Sequence, residues 1–261
     1  MRGKDFSKNW KFSQQDTEYH IHRMEYDDSK WEVVNVPHDW SIYQSFDKEN
    51  GEGCNGYITG GFGWYRKTFI TTKEMKLGRT YMHFDGIYNR AHIYCNGKLV
   101  DFQPYGYIPI LVDVSTFLND IDEENLIAIS VDHTRDCDCR WYSGSGIYRK
   151  VAMHVLPMCH IPVWGVHIET EQVKDNIAYL KTNITCNNES KDVRKCELNV
   201  QVMSPEKTMV VERKIEVLLK ESEERKIDVS LEVQNPVLWE IGDGKQYAVK
   251  VQLYEKNELL Q

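Results

Sequence analysis

Two kinds of side chain in this 261-residue sequence are placed to do chemistry. The first is aromatic: 15 Tyr and 7 Trp are present, and their flat apolar rings suit the apolar faces of a pyranose. Trp141 and Tyr142 stand together, and Tyr105 and Tyr107 form a second close pair. Either pair could wall a sugar site. The same rings also serve as sandwich core or as packing between domains. The second kind is the thiol. Cys137-Asp138-Cys139 is the one tight cysteine pair among seven cysteines. It has no second pair and no nearby His-x-x-His to complete four ligands, so it makes a poor zinc site. The other cysteines, Cys54, Cys95, Cys159, Cys186 and Cys196, are scattered. An odd count at such spacing predicts small buried hydrophobes or free thiols rather than a disulfide framework. No cofactor and no metal site is expected.

Charge narrows the partners. A formal net charge of −8 leaves no basic stripe for nucleic acid and no polybasic patch for a membrane surface. No apolar run approaches the ~20 residues that span a bilayer, so membrane insertion is not expected. Met1-Arg2-Gly3-Lys4-Asp5 lacks the apolar core of a signal peptide. The compartment is therefore periplasmic or extracellular if a leader was removed, and otherwise cytoplasmic.

Strands must position these residues, because alternation dominates and helical periodicity is nearly absent. Runs at 65–70, 81–84, 91–95, 98–100, 126–131 and 151–155 read as strands. Asn96-Gly97 between two of them is a hairpin turn, since both residues accept positive φ. The continuous apolar run at 126–131 predicts a buried strand. Pro157 and Pro162 then flank 158–161, and proline cannot donate to a ladder. This places a junction near residue 160, with domains at 1–160 and 161–261. The second part has its own strands near 163–170, 178–186, 196–203, 210–217, 225–233 and 246–254. About one hundred residues of this kind without a helix fit an immunoglobulin-like sandwich. The chain ends at Gln261, just past a turn at Lys256-Asn257, which reads as a strand cut near its start.

Four ordered blocks carry a more specific message. They are Val36-Pro37-His38-Asp39-Trp40-Ser41-Ile42, then Gly60-Gly61-Phe62-Gly63-Trp64-Tyr65-Arg66-Lys67-Thr68-Phe69, then Phe84-Asp85-Gly86-Ile87 with the residues 91–97, and last Arg140-Trp141-Tyr142-Ser143-Gly144-Ser145-Gly146-Ile147-Tyr148-Arg149. Together they resemble the sugar-binding domain of family 2 glycoside hydrolases of the β-galactosidase type. Asn235-Pro236-Val237-Leu238-Trp239 extends a weaker resemblance into the second domain. The resemblance implies an all-β chain: a jelly-roll (galactose-binding-like) β-sandwich followed by an immunoglobulin-like β-sandwich. It further implies a catalytic (α/β)8 barrel beyond them, bearing an acid/base and a nucleophile glutamate. Retaining hydrolysis needs that pair ~5–5.5 Å apart, and the sequence stops before any barrel. The acid/base of the family sits in an Asn-Glu pair. The pairs here, Asn188-Glu189 and Asn257-Glu258, are read instead as solvated turn residues.

In such enzymes the loop ending in Ser145-Gly146-Ile147-Tyr148-Arg149 reaches the substrate pocket. An acidic residue in it contacts the sugar in several relatives and binds sodium in some. The matching position here is Arg140, so sodium binding is not implied. A guanidinium there can donate a fork of hydrogen bonds to hydroxyls or a carboxylate, or pair with a local acid and shape the loop. The substrate-binding candidates are Arg140, Trp141, Tyr142 and Asp39. Asp39 also suits the capping of a turn. Trp40 and Trp64 are expected in the core, Arg149 in a structural role, and Gly60, Gly61 and Gly63 where positive φ or close backbone approach is needed. No catalytic residue is expected in this chain.

The resemblance thus implies the N-terminal, non-catalytic fragment of a retaining glycoside hydrolase, inactive alone. Its partners would be its own barrel and a β-linked oligosaccharide. β-Galactoside is preferred over β-glucuronide or β-mannoside on the wording of the 37–40 and 140–149 blocks. The alternative is an autonomous carbohydrate-binding module, which needs an exposed coplanar aromatic platform. A purely structural or adhesive sandwich pair is disfavoured by the enzyme-like 140–149 block.

Overall fold

The computed structural model describes residues 3–14, 20–51, 53–135 and 141–261. The chain forms two compact units, divided between Val155 and Leu156. The first unit contains β1 (Lys4–Asp5), β2 (Trp10–Gln14), β3 (Glu32–Val34), β4 (Gly61–Ile70), β5 (Arg79–Phe84), β6 (Ala91–Cys95), β7 (Lys98–Gln103), β8 (Ile110–Asp113), β9 (Glu124–His133) and β10 (Val151–Leu156). A six-stranded sheet runs in the order β3-β2-β4-β9-β6-β7, and a four-stranded sheet in the order β1-β10-β5-β8. The six-stranded sheet is antiparallel throughout. One short helix, α1 (Lys73–Leu77), starts at Thr72, whose hydroxyl accepts from the Met75 N–H.

The period of two decides which side chains meet. Phe12, Tyr65, Ile93, Ile127, Ile129 and Val131 of the larger sheet pack with Met82, Phe84, Ile110, Val112, Val151 and Met153 of the smaller one. This is the jelly-roll core. Strand β9 breaks the alternation, because both of its faces are covered. Ile127, Ile129 and Val131 face the smaller sheet, while Leu126 and Ala128 join Ile21 and Trp64 in a second cluster on the outer face. Arg66, also buried, ties the covering segment down. It donates to the Asp28 carboxylate at 2.7 Å and to the backbone carbonyls of Ile21 and Arg23.

The second unit contains β11 (Cys159–His160), β12 (Val166–Lys174), β13 (Ile177–Asn188), β14 (Arg194–Met203), β15 (Met209–Leu219), β16 (Glu223–Gln234), β17 (Ala248–Glu255) and β18 (Glu258–Leu259). In one sheet β13 pairs with β11, β12 and β16; the other runs β15-β14-β17-β18. Ile184, Cys186, Leu198, Val200, Val202, Leu219 and Leu253 fill the core of this immunoglobulin-like sandwich. Its hairpins Asp175-Asn176 and Lys256-Asn257 have positive φ at both positions, as does Asn96-Gly97 in the first unit. Asn188 departs from the solvated turn residue expected of it. It is 1% exposed, and its amide donates to the carbonyls of Asp192, Leu219 and Lys220. Its side-chain oxygen accepts from both the backbone N–H and the hydroxyl of Ser190, so it knots the loops at that end of the sandwich.

Candidate functional site

At one end of the first sandwich, β4 begins at Gly61 and β9 ends at His133, paired to each other. The segment 141–149 returns from β9 and is stitched on two sides by backbone bonds. His38 N–H donates to the Ile147 carbonyl at 2.8 Å and Trp40 N–H to that of Ser145 at 3.1 Å. On the other side Tyr88 and Gly146 exchange N–H···O bonds of 3.0 and 2.9 Å. Gly146 has φ +118°, and a Cβ there would lie 2.2 Å from the Tyr65 hydroxyl. Only glycine lets the strand pass.

Asp39 is the hub of this end. Its Oδ1 accepts from the backbone N–H of Ser41 (3.0 Å) and of Ser145 (2.8 Å). Its Oδ2 accepts from the Tyr142 hydroxyl at 2.6 Å. Burial, and then the adjacent carboxylate, raise the Tyr142 hydroxyl above the ordinary tyrosine range, so it stays protonated and donates. A Cβ on Gly144 would stand 2.4 Å from Asp39 Oδ2. Beneath Asp39 runs a buried polar chain. Ser41 Oγ donates to the Thr59 carbonyl (3.0 Å), Ser145 Oγ lies 2.5 Å from Ser41 Oγ, and His133 Nδ1 lies 2.6 Å from Ser145 Oγ. Each hydroxyl has one proton, and that of Ser41 goes to Thr59. The Ser145 proton therefore goes to Ser41, and His133 Nδ1–H donates to Ser145. Ser143 N–H donates to Asn55 Oδ1 at 3.0 Å, completing the anchorage.

Above this frame stand exposed aromatics. Trp141 is 59% exposed, and its indole N–H donates to the Tyr107 hydroxyl at 3.0 Å. Tyr107 meets Tyr105 at 68° between ring planes and Tyr88 at 58°. Tyr148 donates to the Gly106 carbonyl at 2.7 Å, holding the tyrosine loop in place. The Tyr88, Tyr105 and Tyr107 rings are tilted against one another and not coplanar. Beside it opens a cleft of about 310 Å³ whose lining includes Asn50, Asn55, Thr59, His133 and Arg135. Asp132, at the end of β9, takes a two-pronged contact from Arg90 (3.2 and 3.1 Å). Burial pushes its carboxyl up, but hydrogen bonds from Arg90 and Thr134 outweigh that and hold it at about 2. His38 donates to or accepts from the Tyr65 hydroxyl at 2.7 Å, and burial lowers its pKa.

The structure brings Asp39 and Tyr142 into contact and places Trp141 against Tyr107 instead. Arg140, with Cys137, Asp138 and Cys139, lies outside the described residues. Trp40 and Trp64 are core residues, at 3% and 5% exposure, and Arg149 is exposed over the Tyr148 ring. Gly60 and Gly63 are needed for close approach, to the His133 carbonyl and to Trp40, and Gly61 for φ +107°. Sequence reasoning missed Ser41, His133 and Asn55 as site residues. Their partners lie 104, 12 and 88 positions away, and no local pattern shows such contacts. Among the described residues no three His, Cys, Asp or Glu side chains are grouped to hold a metal ion.

Comparison with known proteins decides what kind of frame this is. Residues 4–157 match the model of the sugar-binding domain of glycosyl hydrolases family 2, and residues 159–261 match a second model of that family. The chain belongs to glycosyl hydrolase family 2. It is 31% identical to the β-galactosidase BoGH2A of Bacteroides ovatus, over 98% of this chain and 30% of that protein. It is 30% identical to a putative β-glucuronidase of Formosa agariphila, over 98% of this chain and 24% of that one. The crystal structure of a family 2 member from Bacteroides cellulosilyticus superposes on all of the chain with a TM-score of 0.91 at 30% identity, covering 34% of that chain. This chain therefore spans about 30% of the length of the curated β-galactosidase it matches.

Proposed function

We propose that this chain is the non-catalytic N-terminal part of a retaining β-galactosidase. In this reading a catalytic barrel supplies both reacting carboxylates, and the 141–149 loop completes its substrate pocket. The observation that carries the proposal is the anchorage of that loop. Backbone hydrogen bonds at Ser145, Gly146 and Ile147 and the Asp39 contacts to Ser145 and Tyr142 fasten the loop, and Trp141 donates to Tyr107. Binding residues on a loop positioned by a rigid scaffold are a common arrangement in enzymes. Arg140, next to Trp141, would donate to sugar hydroxyls.

Hydrolysis by the chain alone is not expected. Retention of configuration requires two carboxyl groups ~5–5.5 Å apart with one poised to give up a proton. At this site Asp39 has both oxygens engaged by Ser41, Ser145 and Tyr142, and Asp132 is held ionised by Arg90 and Thr134. Neither carboxyl stands free of partners. The tilt of the tyrosine rings favours this reading over an autonomous binding module, for which a flat platform would be needed.

The substrate is tested with the gene product extended through its next domain. Chromogenic β-galactoside and β-glucuronide are compared at equal enzyme concentration. A higher kcat/KM on the galactoside supports the proposal. A preference for the glucuronide would move the substrate class while leaving the supporting role of this chain in place.

A further inference from the structure

We propose that Cys159 and Cys196 form an oxidisable pair, giving a disulfide that crosses the core of the second unit. The two sulfurs lie 3.6 Å apart, and both residues are buried, at 4% and 5% exposure. Cys159 sits on the two-residue strand β11, which pairs with Asn187 and Asn188 at the end of β13. Cys196 sits on β14 of the other sheet, opposite Val217 and Glu255. A bond between them would join the sheets, which no backbone ladder between these two strands does. The separation exceeds the ~2.05 Å of a formed bond by about 1.5 Å, a gap that side-chain rotation on a short strand can close.

The chemistry balances with a small-molecule disulfide as oxidant. One thiol loses its proton and attacks the oxidant, releasing one small thiol and leaving a mixed disulfide. The second protein thiolate then attacks the protein sulfur of that mixed disulfide and releases the other small thiol. Two electrons pass from the cysteine pair to the oxidant, and the two protons appear on the released thiols. Access comes through β11, whose ladder is only two residues long and opens more readily than the twelve-residue pairing of β13 with β16. The link spans 37 positions of sequence. It would restrict the unfolded chain and fasten the segment from Pro157 to Pro162 to the opposite sheet. The scattered cysteine spacing conceals this pair, because its members are brought together only by the sandwich.

The test treats the reduced chain with glutathione disulfide, with and without a urea concentration below the unfolding midpoint. The thiols are then blocked and the chain digested with trypsin without reductant. Trypsin separates the three cysteines of this unit, since Cys159 falls in residues 151–174, Cys186 in 182–191 and Cys196 in 196–207. The expected product joins 151–174 to 196–207, and the oxidised chain melts about 5 °C or more above the reduced one. Reductant should restore the lower melting temperature. Blocked thiols at both Cys159 and Cys196 under both conditions would overturn the proposal, as would a link that involves Cys186 instead. The mapping uses the unaltered chain, so it does not depend on a variant folding.

Discussion

Replacing Asp39 by alanine removes the acceptor that ties segment 36–44 to segment 141–149. Two of its donors, the N–H groups of Ser41 and Ser145, belong to residues only 1% and 0% exposed. A buried donor left without a partner costs about 1–3 kcal/mol, so the two together cost about 2–6 kcal/mol. Tyr142 is 45% exposed, so its hydroxyl can turn to water and adds little. For a unit of this size each kcal/mol lowers Tm by about 2–4 °C, which places the first unit's transition roughly 4–24 °C lower. Asp39→Asn keeps an oxygen at the Oδ1 position and loses only the charged acceptor for Tyr142. Its cost is below about 1 kcal/mol. Thermal unfolding followed by tryptophan fluorescence distinguishes the variants. An alanine variant within 1 °C of the parent would show that the two buried N–H groups are not left without acceptors. An asparagine variant as unstable as the alanine one would show that charge, and not acceptor position, holds the loop.

Other perturbations probe the same frame. Gly146→Ala should destabilise the first unit by several degrees or prevent its folding, because the added carbon falls 2.2 Å from the Tyr65 hydroxyl at φ +118°; melting temperature is the readout. Stability should fall with acid in two stages. Burial lowers the pKa of His38, His92 and His154, so the native state disfavours protons that the unfolded chain accepts below pH ~6.5, and that stability goes first. Asp132, depressed to about 2 by its partners, contributes stability above the ordinary aspartate range that is lost as pH falls from ~4 towards 2. Asp132→Asn should flatten the second stage in urea titrations at stepped pH and leave the first. In the second unit Asn188→Ala should lower the urea midpoint, with a loss of about 2–3 kcal/mol, because three carbonyls and Ser190 lose their partner.

Much of the architecture is legible in the residues themselves. Strand β5 alternates in burial along its whole length, and β6 coincides with the alternating run at 91–95. The apolar run of β9 reads as buried for a reason the sequence does not state, namely a second layer on its outer face. Strands β1, β2, β3 and β8 escape notice. They are two to five residues long, and unlike β6 none leads into an Asn-Gly turn that marks a hairpin. At the site, Asp39 can be recognised as a turn cap through Ser41, two residues away. Its bonds to Tyr142 and Ser145 cross 103 and 106 positions and exist only because the sandwich folds those loops together. Asn188 shows the converse, since a residue whose type and neighbours suggest a wet turn is buried by loops converging from elsewhere.

We propose that this chain supports hydrolysis without performing it. The direct measurement is release of the chromophore from a β-galactoside by the 261-residue chain and by the gene product extended through its next domain, both verified as folded. Turnover is expected from the extended protein alone, with a lower kcat/KM and a retained melting temperature when Trp141 is changed to Ala in it. Turnover by the 261-residue chain itself would contradict it.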